Sequence, residues 1–175
     1  MNTPRSQLGF TLLELIVTLG LLSIIVAAVT PSASAFYKRN KVAAIVNNHT
    51  AALQLARHTA VTENVFVVVC PTQDMQNCDP DWSQLKMVFI DEDGDGALGG
   101  NEEIIGSGDM VKDYLIKSNR DSLRFAPFST AQTLTATLTI CTEEDNSNFA
   151  RAIVISTVGR VRLEKDPALI DCTAS

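Results

Sequence analysis

The segment from Phe10 to Val29 is an unbroken apolar run that carries a single charge, Glu14. As an α-helix, a run of this length extends about 30 Å, which matches the hydrocarbon core of a lipid bilayer. A buried carboxylate in a membrane helix costs roughly 2.5–3.5 kcal/mol on insertion scales, so such a group usually has a partner or a function. The run therefore predicts a single-pass membrane helix in which Glu14 has a specific role.

A cleaved secretory signal is the first alternative for this segment, because Ser32–Ala33–Ser34–Ala35 contains an Ala-x-Ala pattern. The apolar part of such a signal is usually shorter than the run found here. The length of the run favours a retained helix over a cleaved one.

The helix is predicted to continue to about Thr62, well beyond the apolar run. Apolar residues recur at helical spacing through its second part, at Val42, Ile45, Val46, Leu53, Ala56 and Ala60. This pattern predicts an amphipathic half over residues 31–62, packed by one face on a globular domain. Pro31 lies where the chain passes from one half to the other, and a proline there favours a kink.

Residues 63–175 have the composition of a β-rich domain. Short apolar or alternating runs separated by turn signals predict strands at 65–70, 85–91, 123–127, 133–141, 151–157 and 160–164. Thr alternates with apolar residues over 133–139, as expected for a half-buried antiparallel strand. The predicted fold class is α+β, with one long N-terminal helix followed by an antiparallel β-rich head.

The four cysteines, Cys70, Cys78, Cys141 and Cys172, indicate disulfides more than a metal site. They form no CxxC pair, and both histidines are distant in sequence. An even count behind an export-like N-terminus is typical of an oxidising compartment. Of the three pairings that four cysteines allow, the simplest joins Cys70 to Cys78 and Cys141 to Cys172.

The N-terminus resembles the class III signal of type IV pilins and pseudopilins. The resemblance rests on a short leader, residues 1–9, that ends in Gly9 and is followed by Phe10, two leucines and Glu14. It implies that a prepilin peptidase cuts after Gly9 and methylates the amine of Phe10. It also implies that Glu14 pairs with the terminal amine of a neighbouring subunit during assembly, with residues 10–30 forming the membrane and filament-core helix.

Across the rest of the chain the resemblance narrows to the GspH/FimT family of minor pilins and pseudopilins. It rests on these stretches, in order: ALQLARHTAV, VVVCP, FIDEDGDG, LRFAPFSTA, TLTIC and IVISTVGRVRL. It implies a type IV pilin-like fold with no enzymatic activity. It further implies a single-pass inner-membrane protein with a periplasmic C-terminal head, which joins other major and minor pilins in an extracellular pilus or a periplasmic pseudopilus.

The stretch DEDGDGALGGNE, residues 91–102, fits the spacing of an EF-hand calcium loop. Asp91, Asp93, Asp95 and Glu102 fall at four ligand positions of that loop. Its flanks, however, have the composition of strands and not of the helices of an EF-hand. A turn stabilised by Asp and Gly is the simpler interpretation, and calcium, the single cofactor that the sequence suggests, is the alternative.

The stretch GRVR, residues 159–162, places Arg160 and Arg162 on one face of a predicted strand, about 6.6 Å apart. Paired guanidiniums suit phosphate recognition, although two arginines on a strand are usually a solvated face. The motif resembles the GRxR of the FimT branch linked to DNA uptake in natural transformation. The candidate DNA-binding set is Arg160, Arg162, Gly159 as the turn residue, Lys165 and Arg151.

The net charge of −6 limits the strength of any DNA binding. Few phosphates would be neutralised, so binding should be weak, salt-sensitive and independent of base sequence.

The sequence as a whole leaves three hypotheses for the function of the protein. They are a FimT-type minor pilin that binds DNA, a structural GspH-like pseudopilin of type II secretion, and a calcium-stabilised structural subunit.

Overall fold

The computed structural model of the protein describes residues 9–127, 135–142 and 149–172. Residues 1–8 of the predicted leader and the first two residues of the predicted strand 133–141 lie outside the described residues. The chain divides into two compact units, Met1–Arg39 and Asn40–Ser175. The second unit contains the β-rich head together with the helical segment that packs on it.

Helix α1 runs from Leu12 to Thr62, so the predicted end of the helix is confirmed. Its start follows from a cap, because the Thr11 hydroxyl accepts a hydrogen bond from the backbone N–H of Glu14 at 3.2 Å. In the part of the chain that the structure describes, no single unbent helix is long and apolar enough to cross a membrane. Within α1, the segments Leu12–Ala28 and Ala33–Thr62 lie on either side of a bend, and together they meet that test by length and composition.

Within the described residues, eight strands form two four-stranded antiparallel sheets. The first sheet has the order β3-β2-β1-β5 and the second has the order β4-β6-β7-β8. The strands are β1 Phe66–Thr72, β2 Leu85–Asp91, β3 Ile104–Gly108, β4 Tyr114–Ser118, β5 Leu123–Phe125, β6 Ala136–Thr142, β7 Arg151–Ile155 and β8 Val161–Glu164.

The main core of the head lies between helix α1 and one face of each sheet. The helix contributes Val42, Ile45, Val46, Ala52, Leu53, Ala56 and Ala60 to this core. The first sheet contributes Val67, Val69, Val88, Leu123 and Phe125, and the second contributes Ile116, Ala136, Leu138, Ile140, Ile153 and Ile155. All six apolar positions predicted from helical spacing are therefore buried, which confirms the amphipathic half of the helix.

The outer face of each sheet carries a smaller buried cluster. On the first sheet, Val68, Cys70, Met87 and Phe89 are buried, with Met75 and Leu98 packed against them. On the second sheet, the cluster consists of Cys141, Ala150, Ala152, Ile170 and Cys172. The two outer faces are thus shielded from water by surface segments. The loops that carry Met75 and Leu98 cover the first sheet, and the segment that carries Ile170 covers the second.

Each outer cluster contains a disulfide. Cys70 bonds to Cys78, and Cys141 bonds to Cys172. This is the simplest of the three pairings that the sequence allows. One bond fixes a loop over the first sheet, and the other fixes the segment after β8 over the second. Both disulfides therefore lie at the outer faces of the sheets, away from the main core.

A polar cluster beside the helix contains two buried side chains, His49 and Lys86. The backbone carbonyl of Ile45 accepts a hydrogen bond from Nδ1 of His49 at 2.9 Å, and the Lys86 ammonium donates to the backbone carbonyl of Asp109. The amide of Asn48 donates to the Asp109 carboxylate at 3.3 Å. His49 and Lys86 are each only 1% exposed, although polar side chains of these types rarely lie in a core.

Burial changes the proton affinity of both His49 and Lys86. It lowers the pKa of His49 to about 4, helped by the positive charge of Lys86 and opposed by the backbone carbonyls of Ile45 and Trp82. Burial also lowers the pKa of Lys86 to about 8, against the attraction of the Asp109 and Asp81 carboxylates. At neutral pH, His49 is therefore neutral.

Candidate functional site

Strands β7 and β8 form a hairpin whose tip precedes the GRVR stretch. The N–H of Gly159 donates to the carbonyl of Ser156 at 2.8 Å, and the N–H of Ser156 donates to the carbonyl of Arg160 at 3.1 Å. Gly159 has φ of 71°, which an L-residue rarely adopts. This is the three-residue hairpin loop in which a left-handed glycine follows a type I turn, so Gly159 acts as the turn residue that was predicted.

The hairpin presents Arg160 and Arg162 together. Arg162 lies opposite Val154 in the β7–β8 register, and the bond between Ser156 and Arg160 continues that pairing by two residues. Because side chains alternate along a strand, the two arginines share the outer face of the second sheet. Both residues are exposed, so two guanidiniums are accessible on one surface.

One of these two guanidiniums, that of Arg162, forms an ion pair with an acidic neighbour, Glu164. The Glu164 carboxylate is 3.3 Å from the Arg162 guanidinium, and it also accepts hydrogen bonds from the backbone N–H groups of Lys165 and Asp166. The backbone N–H of Asp166, then that of Lys165, and then Arg162 hold the pKa of Glu164 below its usual value. Glu164 is therefore ionised at neutral pH and competes with any anion for Arg162, whereas no described residue forms an ion pair with Arg160.

The other two predicted cations lie differently. Lys165 is exposed and follows the last residue of β8, three residues beyond Arg162. Arg151 lies opposite Ile140, which belongs to the main core, and so it is on the face of the sheet opposite Arg162. Its guanidinium donates to the backbone carbonyl of Ala150 at 2.6 Å. The structure does not bring Arg151 together with Arg160 and Arg162.

At the N-terminus, Gly9 and Phe10 precede the helix and both are exposed. Glu14 lies in the first turn of α1, where the helix dipole stabilises a negative charge. The Thr11–Glu14 pair has the spacing of a capping box, of which the bond to the Thr11 hydroxyl forms one half. Sequence reasoning gave Glu14 an intermolecular role and missed this local one.

The acidic loop brings three of its four predicted ligands together. Oxygen atoms of Asp91, Asp93 and Asp95 all lie within 4.8 Å of one another. Gly94 and Gly96, both with φ of 80°, turn the chain around this cluster. The Asx turns that the simpler interpretation predicts are also present, since Asp93 accepts from the N–H of Asp95 at 3.1 Å, and Asp95 accepts from that of Ala97 at 2.7 Å.

Glu102 does not join this group of carboxylates. One of its oxygens accepts from the N–H of Glu92 at 2.8 Å, and the other accepts from the N–H of Gly99 at 2.6 Å. The bond to Glu92 joins the start of the loop to its end, and the bond to Gly99 holds the last turn of the loop. The EF-hand spacing correctly placed three carboxylates, but Glu102 has a bracing role in the structure.

Two family models match separate parts of the chain. Residues 46–159 match the family described as type II transport protein GspH, and residues 4–30 match the prokaryotic N-terminal methylation motif. No curated protein matches the chain.

Two crystal structures of the type IV minor pilin FimU from Pseudomonas aeruginosa strain PAO1 share the fold. The first has a TM-score of 0.58 at 20% identity and covers 78% of this chain and 97% of that one. The second, in another space group, has a TM-score of 0.51 at 18% identity and covers 78% and 96%. This similarity confirms that the predicted α+β, pilin-like fold is the fold of this chain.

Proposed function

Since the chain belongs to the GspH family of minor pilins and pseudopilins, we propose that it is a minor pilin of a type IV pilus that binds DNA through the β7–β8 hairpin. The observation that carries this proposal is the pair of exposed guanidiniums, Arg160 and Arg162, on one face of the β7–β8 hairpin. Duplex DNA offers phosphates at regular spacing, and arginine binds them with paired hydrogen bonds. In this role the protein is a structural subunit that also binds DNA, with no catalytic step.

The two arginines contribute unequally in this proposal. Glu164 must release Arg162 before a phosphate can replace it, whereas Arg160 has no such competitor among the described residues. The segment 159–166 contains three cations and two anions, so its net attraction for DNA is small. Binding is therefore weak for one subunit, and several subunits in one filament would strengthen it by avidity.

The proposal is tested by the salt dependence of DNA binding. We expect the full chain in detergent micelles to bind labelled duplex DNA with a logarithmic salt slope of about −1.8, the value for two phosphate contacts. Arg160→Ala/Arg162→Ala should bind at least about tenfold more weakly with a slope near zero. Arg160→Ala alone should weaken binding more than Arg162→Ala, because Glu164 already occupies Arg162. Fluorescence anisotropy over a range of salt concentrations measures both quantities.

Arg151→Ala is the matched control for this experiment. It removes the same positive charge from the same hairpin, but on the opposite face of the sheet, so affinity and slope should equal those of the wild type. An unchanged affinity in the double variant, or an equal loss in Arg151→Ala, would refute binding by this face of the hairpin.

We further propose that Glu14 pairs with the amine of Phe10 of a neighbouring subunit in the filament. Glu14 is the one charge between Phe10 and Val29, and the apolar residues around it are exposed in the single chain. Packing of these residues against neighbouring helices would bury the carboxylate, and a buried carboxylate needs a counter-charge. Cleavage after Gly9 by a prepilin peptidase supplies that charge.

We expect Glu14→Gln to reduce the fraction of the protein recovered in sheared filaments by about tenfold. The amide still accepts a hydrogen bond from the amine, but the charged bond is stronger by roughly 1.4 kcal/mol. Immunoblots of the filament and membrane fractions measure this ratio. Equal recovery of Glu14→Gln and wild type in the filament fraction would contradict the pairing.

The proposed location is the inner membrane, with α1 anchoring the chain and the head in the periplasm. Two disulfides in the head support an oxidising compartment. From there the protein enters a filament with other major and minor pilins.

A second candidate is a structural pseudopilin of the type II secretion system. The description of the matching family, a type II transport protein, favours it. In this role the arginines would be a solvated face, so the wild-type chain would show no salt-dependent DNA binding at all. The anisotropy measurement therefore separates the two candidates before any variant is made.

A further inference from the structure

We propose that the acidic loop after β2 binds one calcium ion through Asp91, Asp93 and Asp95. The inference begins with Asp91, the last residue of β2, whose carboxylate is completely buried. One of its oxygens, Oδ1, accepts from the N–H of Gly94 at 2.8 Å and lies 3.4 Å from the N–H of Gly96. These bonds explain how the loop folds, but they involve only half of the carboxylate.

The second oxygen of Asp91, Oδ2, is the observation that points to a ligand. It is buried and has no hydrogen-bond partner among the described residues. A buried carboxylate oxygen without a donor carries a substantial desolvation cost, so a native structure usually supplies a partner such as a donor or an ion. This need is independent of the turns that Asp93 and Asp95 form in the same loop.

The cluster has the dimensions of a calcium site. Calcium–oxygen distances are about 2.3–2.6 Å, so two ligands on opposite sides of one ion lie about 5 Å apart. One carboxylate oxygen from each of Asp91, Asp93 and Asp95 lies within 4.8 Å of the other two, a separation that one ion can span. Asp93 and Asp95 are exposed, so water can complete the coordination of the ion.

The charges around the cluster match a divalent cation. The Arg124 guanidinium is 3.7 Å from Oδ2 of Asp91, which attracts the carboxylate but is too far for a hydrogen bond. Arg124 is held in place by the carbonyl of Gly94, at 2.7 Å, and lies 4.4 Å from the centre of the Phe66 ring. Three carboxylates and one guanidinium leave a net charge of −2, which one calcium ion neutralises.

The donor set selects calcium among the common metals. All three ligands are carboxylates on a glycine-containing loop, without a histidine or cysteine, and this excludes a typical zinc or copper site. Magnesium requires near-octahedral geometry and keeps much of its water. The open side of the loop and its irregular backbone suit the larger and more tolerant calcium ion.

Calcium titration of the full chain in detergent micelles tests the site directly. After removal of metals with EDTA, we expect calorimetry with CaCl₂ to show saturable heat for about one site, with a Kd of roughly 10⁻⁴–10⁻³ M, as in extracellular calcium modules. Asp93→Asn/Asp95→Asn should weaken the affinity at least about tenfold. Both residues are exposed, so the double variant retains the core and should unfold at a similar temperature in EDTA.

Glu92→Gln provides the matched control, because it removes one exposed carboxylate from the same loop but outside the cluster. It should bind calcium as the wild type does, and MgCl₂ should give no comparable heat with either protein. Absence of saturable heat up to about ten times the upper expected Kd would overturn the proposal. So would a loss of affinity in Glu92→Gln as large as that in the double variant.

Discussion

Replacing Cys141 and Cys172 with serine is expected to lower the free energy of unfolding of the head by about 3–4 kcal/mol. The bond joins residues 31 positions apart, so it closes a large loop and thereby lowers the conformational entropy of the unfolded ensemble. It also holds Ile170 over Ala150 and Ala152, which form the outer cluster of the second sheet. Guanidinium unfolding of the full chain in micelles, followed by the fluorescence of the single, buried Trp82, measures the loss.

The other disulfide is the internal comparison for this prediction. Cys70 and Cys78 are only 8 positions apart, so the same loop-entropy argument gives about 2.5 kcal/mol for Cys70→Ser/Cys78→Ser. The order of the two losses is therefore fixed by the two loop lengths. If the short-loop variant proved the less stable of the two, loop closure would not be the main contribution of the long-range bond.

Acidification from pH 7 to pH 4 is expected to remove about 3 kcal/mol of stability through His49 alone. The pKa of His49 is about 4 in the folded chain and 6.5 in its ordinary state, so the unfolded chain binds the extra proton first. Unfolding therefore takes up a proton between these pH values, and stability falls as pH falls through this window. The low pKa of His49 is caused mainly by its burial, and the positive charge of Lys86 lowers it further. The carboxylates of Asp109 and Asp81 in turn attract the Lys86 ammonium.

The effect is measured as the difference between the wild type and His49→Gln, each unfolded at pH 7 and at pH 4. Carboxylates with lowered pKa values, such as Asp81 and Glu164, also lose stabilising interactions in acid, but they do so equally in both proteins. The wild type should lose about 3 kcal/mol more than His49→Gln. His58→Gln, an exposed position on the same helix, should follow the wild type. Parallel losses in wild type and His49→Gln would show that His49 is not the group responsible.

Much of the fold follows from sequence because its signals are local and repeated. Helical spacing over Val42–Ala60 identified the buried face of α1, and six of the eight strands were predicted as runs of β-branched, aromatic or alternating residues. Strand β3 was anticipated only as a flank of the acidic loop. Strand β4 was missed, because its sequence YLIKS buries only Ile116 and mixes exposed with half-buried positions, so it has no clear period.

The sites were less predictable, because they depend on which strands are neighbours. The spacing of Arg160 and Arg162 within one strand was enough to place them on one face. The position of Arg151 required the register of β7 against β6, which the sequence does not contain. The burial of Lys86 in β2 also escaped sequence reasoning, since its partner is a backbone carbonyl of Asp109, 23 residues away.

The place of β8 in its sheet has a consequence for the solubility of the head. In the described part of the chain, β8 is the last strand of the second sheet and pairs only with β7. An edge strand invites pairing with the edge of another molecule, and short length and charged side chains are what prevent it. With four residues, and with Arg162 and Glu164 among them, β8 meets both conditions. The charged residues of β8 thus disfavour edge-to-edge pairing of one head with another.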